Sequence, residues 1–479
     1  MIILSKAGGP LMTAFYAVYN ILWGDLVTIP LPGGSTLGLS LLVLILIPSG
    51  IYFTLRTKFL PFRLFPEMLK IISEKKTVSK HGAISGFQAL IVSTATRVGM
   101  GNLVGVVAAI SAGGAGALFW MWIIALLGSS TAFIEGTLAQ LHKEKDPLYG
   151  GYRGGPAYYI HHLFVRPADG RKIKKEKKRS VIAILFAISG LICWCGISQV
   201  IGNSVSSSFE NAFRIPPIYT TIILVILSAV IVLRKNATVK VLDILVPVMA
   251  VCYFVMTLFI IIKNAPLLPA VFERIFAEAF GLRQAVAGGF GAVIMNGAKR
   301  GLFSNEAGSG SAPCAAAAAD IDHPAKEGLL QALGVFIDTI VICSCSAMIM
   351  LLAPAELTDG LEGMDLLQTA MQHHLGYFGV IFIAAILWLF SFSTFIGILF
   401  YARSNVSYLF GDNWLSQTLY KVLALIMLFI GGLAAYTFVW DLGDLGVGLM
   451  TVFNMIALFP LAPQAIRSLN DYESNHKKA

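Results

Sequence analysis

The chain has 479 residues, 57% of them hydrophobic and 13% charged, with a mean hydropathy of +0.77. A water-soluble protein of this length could not bury that much apolar surface, so the composition excludes a soluble domain and makes the lipid bilayer the solvent. The net charge of +9 reads as a topology signal and not as nucleic-acid binding, because the lysines and arginines gather in particular loops.

Met12–Leu26 comes first. It mixes apolar and polar residues, holds Asp25, and is expected to lie on the membrane surface. No basic start followed by a clean apolar run occurs in the first thirty residues, so no cleavable signal is expected. Crossing a bilayer takes roughly 20 mostly apolar residues as a helix. Eleven stretches fit: 37–55, 86–111, 116–141, 181–206, 217–233, 241–262, 285–302, 326–353, 377–402, 418–436 and 440–463. Arg56, Lys58, Arg63, Lys70, Lys75, Lys76 and Lys80 follow the first span, and Lys143, Lys145, Arg153, Arg166 and the run 171–179 follow the third. The loop 354–376 has only acids. The positive-inside rule then places the N-terminus outside and the C-terminus, with Arg467, Lys477 and Lys478, in the cytoplasm of a multi-pass cell-membrane protein.

The six cysteines fall in apolar spans or beside one, and their Cys-x-Cys pairs lack the companions of a metal site. They read as small buried side chains, and His161/His162 and His373/His374 as surface residues. No Gly-x-x-x-x-Gly-Lys-Ser/Thr loop occurs, which excludes an ATP motor in the chain.

Segments 86–115 and 289–318 align without a gap at an offset of 203 residues (289 − 86), pairing Phe87 with Phe290, Arg97 with Arg300 and Asn102 with Asn305. Five crossings separate the two starts. Five is odd, so the second copy traverses the membrane in the opposite sense, a recurring transporter plan. The expected fold is an all-α polytopic membrane protein divided as 1–85 (surface helix, first span and cytoplasmic linker), 86–263 (first five-helix repeat), 264–284 (external loop), 285–463 (inverted second repeat) and 464–479 (cytoplasmic tail).

Each copy carries an interruption: Ala95-Thr96-Arg97-Val98-Gly99-Met100-Gly101-Asn102 in the first, and the stretch from Ala298 to Gly308 in the second. Broken backbone at membrane depth offers N–H donors suited to a carboxylate and carbonyls suited to a cation. Substrate is therefore expected at Thr96, Gly99, Met100, Gly101 and Asn102, with Phe303 as a wall. The competing reading is that the glycines only permit tight helix packing. Gln199 and Asn203 lie four apart on one helix face, and Asn296 precedes the second break by a turn. These three amides either line the cavity or join helices. Arg97, Glu135, Lys299, Arg300, Glu306 and Asp338 lie in or beside spans, where unpaired charge is expensive, so pairing with opposite charges is expected.

At these residues the chain resembles the alanine or glycine:cation symporter family, within the superfamily that shares the leucine-transporter (LeuT-type) fold. The matching motifs run in order over most of the chain: Ala95–Asn102, Gly113–Trp122, Gly154–Ile160, Arg300–Gly308 and Phe336-Ile337-Asp338-Thr339. The resemblance implies a LeuT-type 5+5 inverted repeat with one extra N-terminal helix, two broken helices, and Na⁺- or H⁺-driven uptake of a small neutral amino acid. It also implies a Na⁺ site in which Ser393 and Thr394 join carbonyls of Ala95 and Val98, with no cofactor beyond the coupling ion. The family's Tyr-Tyr-Gly-Glu reads Phe400-Tyr401-Ala402-Arg403 here, an acid replaced by a base.

A sensor that lost transport, a channel and a membrane enzyme are the rival classes. No soluble signalling domain is visible, two inverted interruptions suit alternating access better than a pore, and no nucleophile–base pair stands out.

Overall fold

The computed structural model describes residues 9–30, 36–73, 84–165, 179–234, 238–281 and 289–476, and 83% of these described residues are helical. Helix α1 (Pro10–Trp23) packs against the long C-terminal helix and has many exposed side chains. An antiparallel hairpin, β1 (Val27–Pro30) and β2 (Thr36–Leu39), leads to α2 (Leu41–Arg56). Ser40 caps α2 by accepting the Val43 N–H, satisfying one of the orphan donors of a helix start. Then come α3 (86–113), α4 (Gly116–Leu141), α5 (Pro156–Val165), α6 (Val181–Phe213), α7 (Pro217–Val232), α8 (Thr238–Lys263) and α9 (Leu268–Ala279). The longer helices that follow are α10 (Gly289–Asn305), α11 (Pro324–Leu351), α12 (Gly363–Leu375), α13 (Tyr377–Phe410), α14 (Trp414–Leu433) and α15 (Tyr436–His476).

Among the described residues, seven helices are long and apolar enough to cross a membrane, and Leu41–Arg56, Gly99–Gly113 and Pro217–Val232 are shorter apolar helices. α6 packs along α13, α14 and α15, while α4 packs along α10 and α11. Their shared interior holds most of the fully buried side chains, Trp194, Tyr401, Phe133 and Phe390 among them. α7 and α8 instead turn Ile222, Ile223, Ile226, Val251, Val255 and Ile262 outward. A water-facing helix would not carry that stripe; acyl chains suit it.

The first expected break is not a break. Residues 86–113 stay helical throughout: α-helical over Gly86–Thr96, π-helical over Arg97–Gly105, and α-helical again over Val106–Gly113. A π-turn keeps its backbone hydrogen bonds but widens the helix, so it opens room without stripping N–H groups bare. α11 is built the same way, with a π-segment at Phe336–Cys343. The second interruption is real but later than expected. α10 remains helical to Asn305, and the chain then leaves helical form until Pro313–Ala316.

Candidate functional site

Gly99 sits where α3 meets α13. A Cβ on it would lie 2.0 Å from Thr394 Oγ1, a distance no two such atoms tolerate, so glycine is required by the approach of that hydroxyl. The next residue, fully buried Met100, donates its backbone N–H to the same oxygen at 3.1 Å. Thr394 therefore reaches the π-segment of α3 through the Met100 N–H. Neighbouring Ser393 donates to the Phe390 carbonyl of its own helix at 2.9 Å. The side chains of Ala95, Thr96 and Val98 lie outside the described residues.

One turn further along α3, Asn102 enters a buried polar cluster. Ser304 Oγ of α10 lies 2.8 Å from Asn102 Oδ1 and 3.1 Å from Asp338 Oδ1 of α11, and Thr339 Oγ1 also contacts Asp338 Oδ1. Asn102 Nδ2 donates to the Asp338 carbonyl at 3.2 Å, and Ser346 donates to the Asn102 carbonyl at 2.6 Å. Asn102, Asp338 and Thr339 have no exposed surface. A serine hydroxyl has a single hydrogen and cannot donate to both acceptors at once. Cys343 Sγ also lies 3.0 Å from Ser304 Oγ, and the carboxylate, amide and hydroxyl oxygens gathered here are a donor set that a hard cation accepts.

Beyond Asn305 the chain turns at Glu306 (φ 56°) and again at Gly308 (φ 91°), a left-handed conformation that favours glycine. The freed backbone is taken up by side chains. Gly308 N–H donates to Glu135 Oε2 of α4 at 2.9 Å. Asn454 of α15 then bridges the Gly308 carbonyl at 3.0 Å and Glu135 Oε1 at 2.5 Å. Tyr159 of α5 donates to Asn454 Oδ1. These contacts hold the interruption open beside the cluster.

Above the cluster, Phe303 packs on Gly101 and Gly105 and meets Trp440 edge-on, with ring centroids 4.9 Å apart. The Arg300 guanidinium covers Trp440 at 4.0 Å and makes two bonds to Asp444, at 3.0 and 3.1 Å. Lys299 Nζ reaches the same carboxylate at 2.7 Å and also contacts Tyr19 Oη, while Trp23 Nε1 donates to the Asp444 carbonyl at 3.0 Å. Two cations, one fully buried anion and four aromatic residues thus seal this end, tying α1, α10 and α15 together. Asp444→Asn leaves both cations without their counter-charge. We expect it to cost about 3–5 kcal/mol, read as a fall in the melting temperature of purified protein larger than that of Lys299→Gln.

The three amides lie elsewhere. Gln199 Nε2 contacts Met427 Sδ at 3.3 Å and Asn203 Nδ2 donates to the Ala434 carbonyl at 2.7 Å, so their common face meets α14. Asn203 lines a cleft of about 410 Å³ with Ser206, Glu210 and Gly432. Asn296 joins α10 to the end of α3 through the Ala112 carbonyl at 3.1 Å. All three join helices rather than line the cluster. Sequence reading missed Ser304, Thr339 and Asp444 as site residues and took Asp338 only as a pairing charge. Their signals were the Phe-Ile-Asp-Thr motif and an acid inside the last apolar span. Arg403, the base in an acid's place, lies over the Phe400 ring at 3.8 Å and the Tyr149 ring at 5.0 Å.

The model of the sodium:alanine symporter family matches residues 32–479. The chain belongs to the sodium:alanine symporter family. Among proteins similar to this family member is the probable sodium/glutamine symporter GlnT of Bacillus subtilis, 41% identical over 92% of this chain and 89% of that protein. Another is the sodium/alanine symporter AgcS of Methanococcus maripaludis, 32% identical over 91% of this chain and 96% of that one. Among solved structures, MhsT in complex with L-phenylalanine covers 82% of this chain and 98% of its own, with a TM-score of 0.56 at 12% identity, a likeness of fold alone. Family membership makes the chain a multi-pass membrane transporter, a cation-coupled amino-acid symporter and not an enzyme.

Proposed function

We propose that this symporter carries a small neutral amino acid, alanine or glycine, into the cell with Na⁺. In this reading eleven helices cross the cell membrane, ten of them as two inverted five-helix halves, 86–263 and 285–463, with the N-terminus outside and the C-terminus cytoplasmic. The observation that carries it is the oxygen cluster of Asn102, Ser304, Asp338 and Thr339 at the junction of α3, α10 and α11. A carboxylate buried at membrane depth marks an ion or substrate path. A cation held by these oxygens then neutralises the carboxylate of an arriving amino acid. Thr394, bonded to Met100 N–H, is proposed as part of a second cation position at the π-segment. Substrate lies between Gly99–Asn102 and Phe303, where Met100 and Phe303 limit its size.

A second reading is favoured by the 41% identity to a protein named for glutamine: the cargo is a longer neutral amino acid. Competition decides between them. In proteoliposomes with an inward Na⁺ gradient, unlabelled glycine and alanine are expected to compete with labelled alanine uptake at least tenfold better than glutamine or leucine. Glutamine competing as well as alanine overturns the small-cargo reading. Uptake that follows a proton gradient alone overturns the choice of Na⁺.

A further inference from the structure

At the end of the bundle opposite the Lys299–Arg300–Asp444 seal, four side chains stand in a row. His142 caps the C-terminus of α4, and its Nδ1 lies 3.0 Å from Nδ1 of His162 on α5. On its other side, His142 Nε2 lies 2.9 Å from Oε1 of Gln464 on α15. His162 Nε2 lies 3.4 Å from Glu144 Oε1. The His162 side chain is only 9% exposed, so these contacts are held within the fold. Sequence reading had taken His162 for a surface residue; the packing of α5 against α4 and α15 turns it inward.

Each bond in such a row needs one hydrogen and one lone pair. With the Gln464 oxygen toward His142, His142 must carry its hydrogen on Nε2 and accept at Nδ1. His162 must then donate from Nδ1, and its Nε2 needs a second hydrogen to meet the carboxylate. The row as it stands therefore holds one proton more than a neutral row, shared between His162 and Glu144. Turning the Gln464 amide over gives the neutral row: the amide donates to His142 Nε2, His142 donates from Nδ1 to His162, and His162 donates from Nε2 to Glu144. A second added proton has no place. It would set two N–H groups against each other at 3.0 Å.

We propose that His142, His162 and Glu144 form a binding site for one proton, and that filling it beyond one releases α4 from α5. The surroundings agree with single occupancy. Glu144 and Arg153 face each other across a two-residue strand pair, and Arg153 is itself paired with Asp412. His161, the next residue on α5, is bonded to Tyr408 of α13 at 3.0 Å, beside Arg179. Lys143 points away, to the Gln140 side chain and the Ala319 carbonyl. α15 contributes the uncharged Gln464. Glu144 thus supplies the negative charge next to the pair. Its carboxyl is held below the usual carboxylate range, first by the bond from His162 and against the opposing effect of burial.

Histidine is the side chain whose charge changes between about pH 5 and 8, so the site changes occupancy in the range a cell can reach. The direct test is a titration of ¹⁵N-histidine-labelled full-length protein in nanodiscs. Two coupled imidazoles bind their protons in separate macroscopic steps; His142→Gln and His162→Gln should each leave a single step at the surviving ring. Glu144→Gln should move the first proton loss to lower pH by about one unit, because the charged form loses its nearest opposite charge. His162 titrating alike with and without His142, or indifferently to Glu144→Gln, overturns the proposal. This readout is independent of the transport reading. Only the consequence for uptake rests on it: alanine uptake into proteoliposomes at fixed external pH should respond to internal pH in the native protein and lose that response in His162→Gln. An unchanged response in His162→Gln refutes the release of α4 from α5.

Discussion

Replacing Asp338 by asparagine is expected to raise the Na⁺ concentration for half-maximal uptake about 100-fold, with the protein still folded. The side chain is nearly isosteric, and Asn can keep the contacts to Ser304 and Thr339. What it loses is the charge. Removing one partner of a buried ionic contact costs about 3 kcal/mol or more, and each 1.4 kcal/mol is about tenfold in an equilibrium constant. Heat denaturation reports the same quantity without transport. A ligand that binds only the folded state raises the melting temperature with its concentration, so Na⁺ should stabilise the native protein against a K⁺ control and leave Asp338→Asn unmoved. Equal Na⁺ stabilisation of both proteins would place the cation elsewhere.

Gly99→Ala is the second large effect. The added methyl would stand 2.0 Å from Thr394 Oγ1, while the Thr394 Cβ is 3.4 Å away. Either the hydroxyl rotates off the Met100 N–H or α3 and α13 separate. Overpacking of this kind costs about 1–3 kcal/mol, and uptake should fall by about 10- to 100-fold. The double variant Gly99→Ala/Thr394→Ala removes the clashing oxygen. It should recover much of the lost stability but not the Na⁺ response, a non-additivity that only contacting residues show. Gly105→Ala is the control, because its Cβ would find nothing nearer than Phe303 at 3.8 Å. Gly105→Ala proving as harmful as Gly99→Ala would mean that the close contact is not what makes Gly99 necessary.

Much of this was legible before any coordinates. The apolar runs placed most of the helices, and the Gly-rich motif marked the stretch of α3 that leaves α-helical form, though it was read as a break. What sequence could not supply was which surfaces meet. Gln199 and Asn203 do share a face, but nothing in their spacing says that the face meets α14 and not the cluster. Arg300 and Asp444 are 144 residues apart, and only the docking of α15 onto α10 joins them. The π-segment of α3 escaped notice for a different reason. Its residues allow an unwound turn equally well, and the choice is made by tertiary contacts such as the bond from Met100 to Thr394.

α15 runs for 41 residues, about 60 Å at 1.5 Å per residue, roughly twice the hydrocarbon thickness of a bilayer. Asp444 and Gln464 lie on this one rod about 30 Å apart, the first gripped by Lys299 and Arg300, the second by His142. A tilt of about 5° about either grip swings the other by between 2 and 3 Å, about the length of a hydrogen bond. Between them stand Pro460 and Pro463, which remove two backbone donors and let the rod flex close to its His142 end. The rod is thus a lever with a compliant joint near one grip: stiff over most of its span, and yielding just before the histidines.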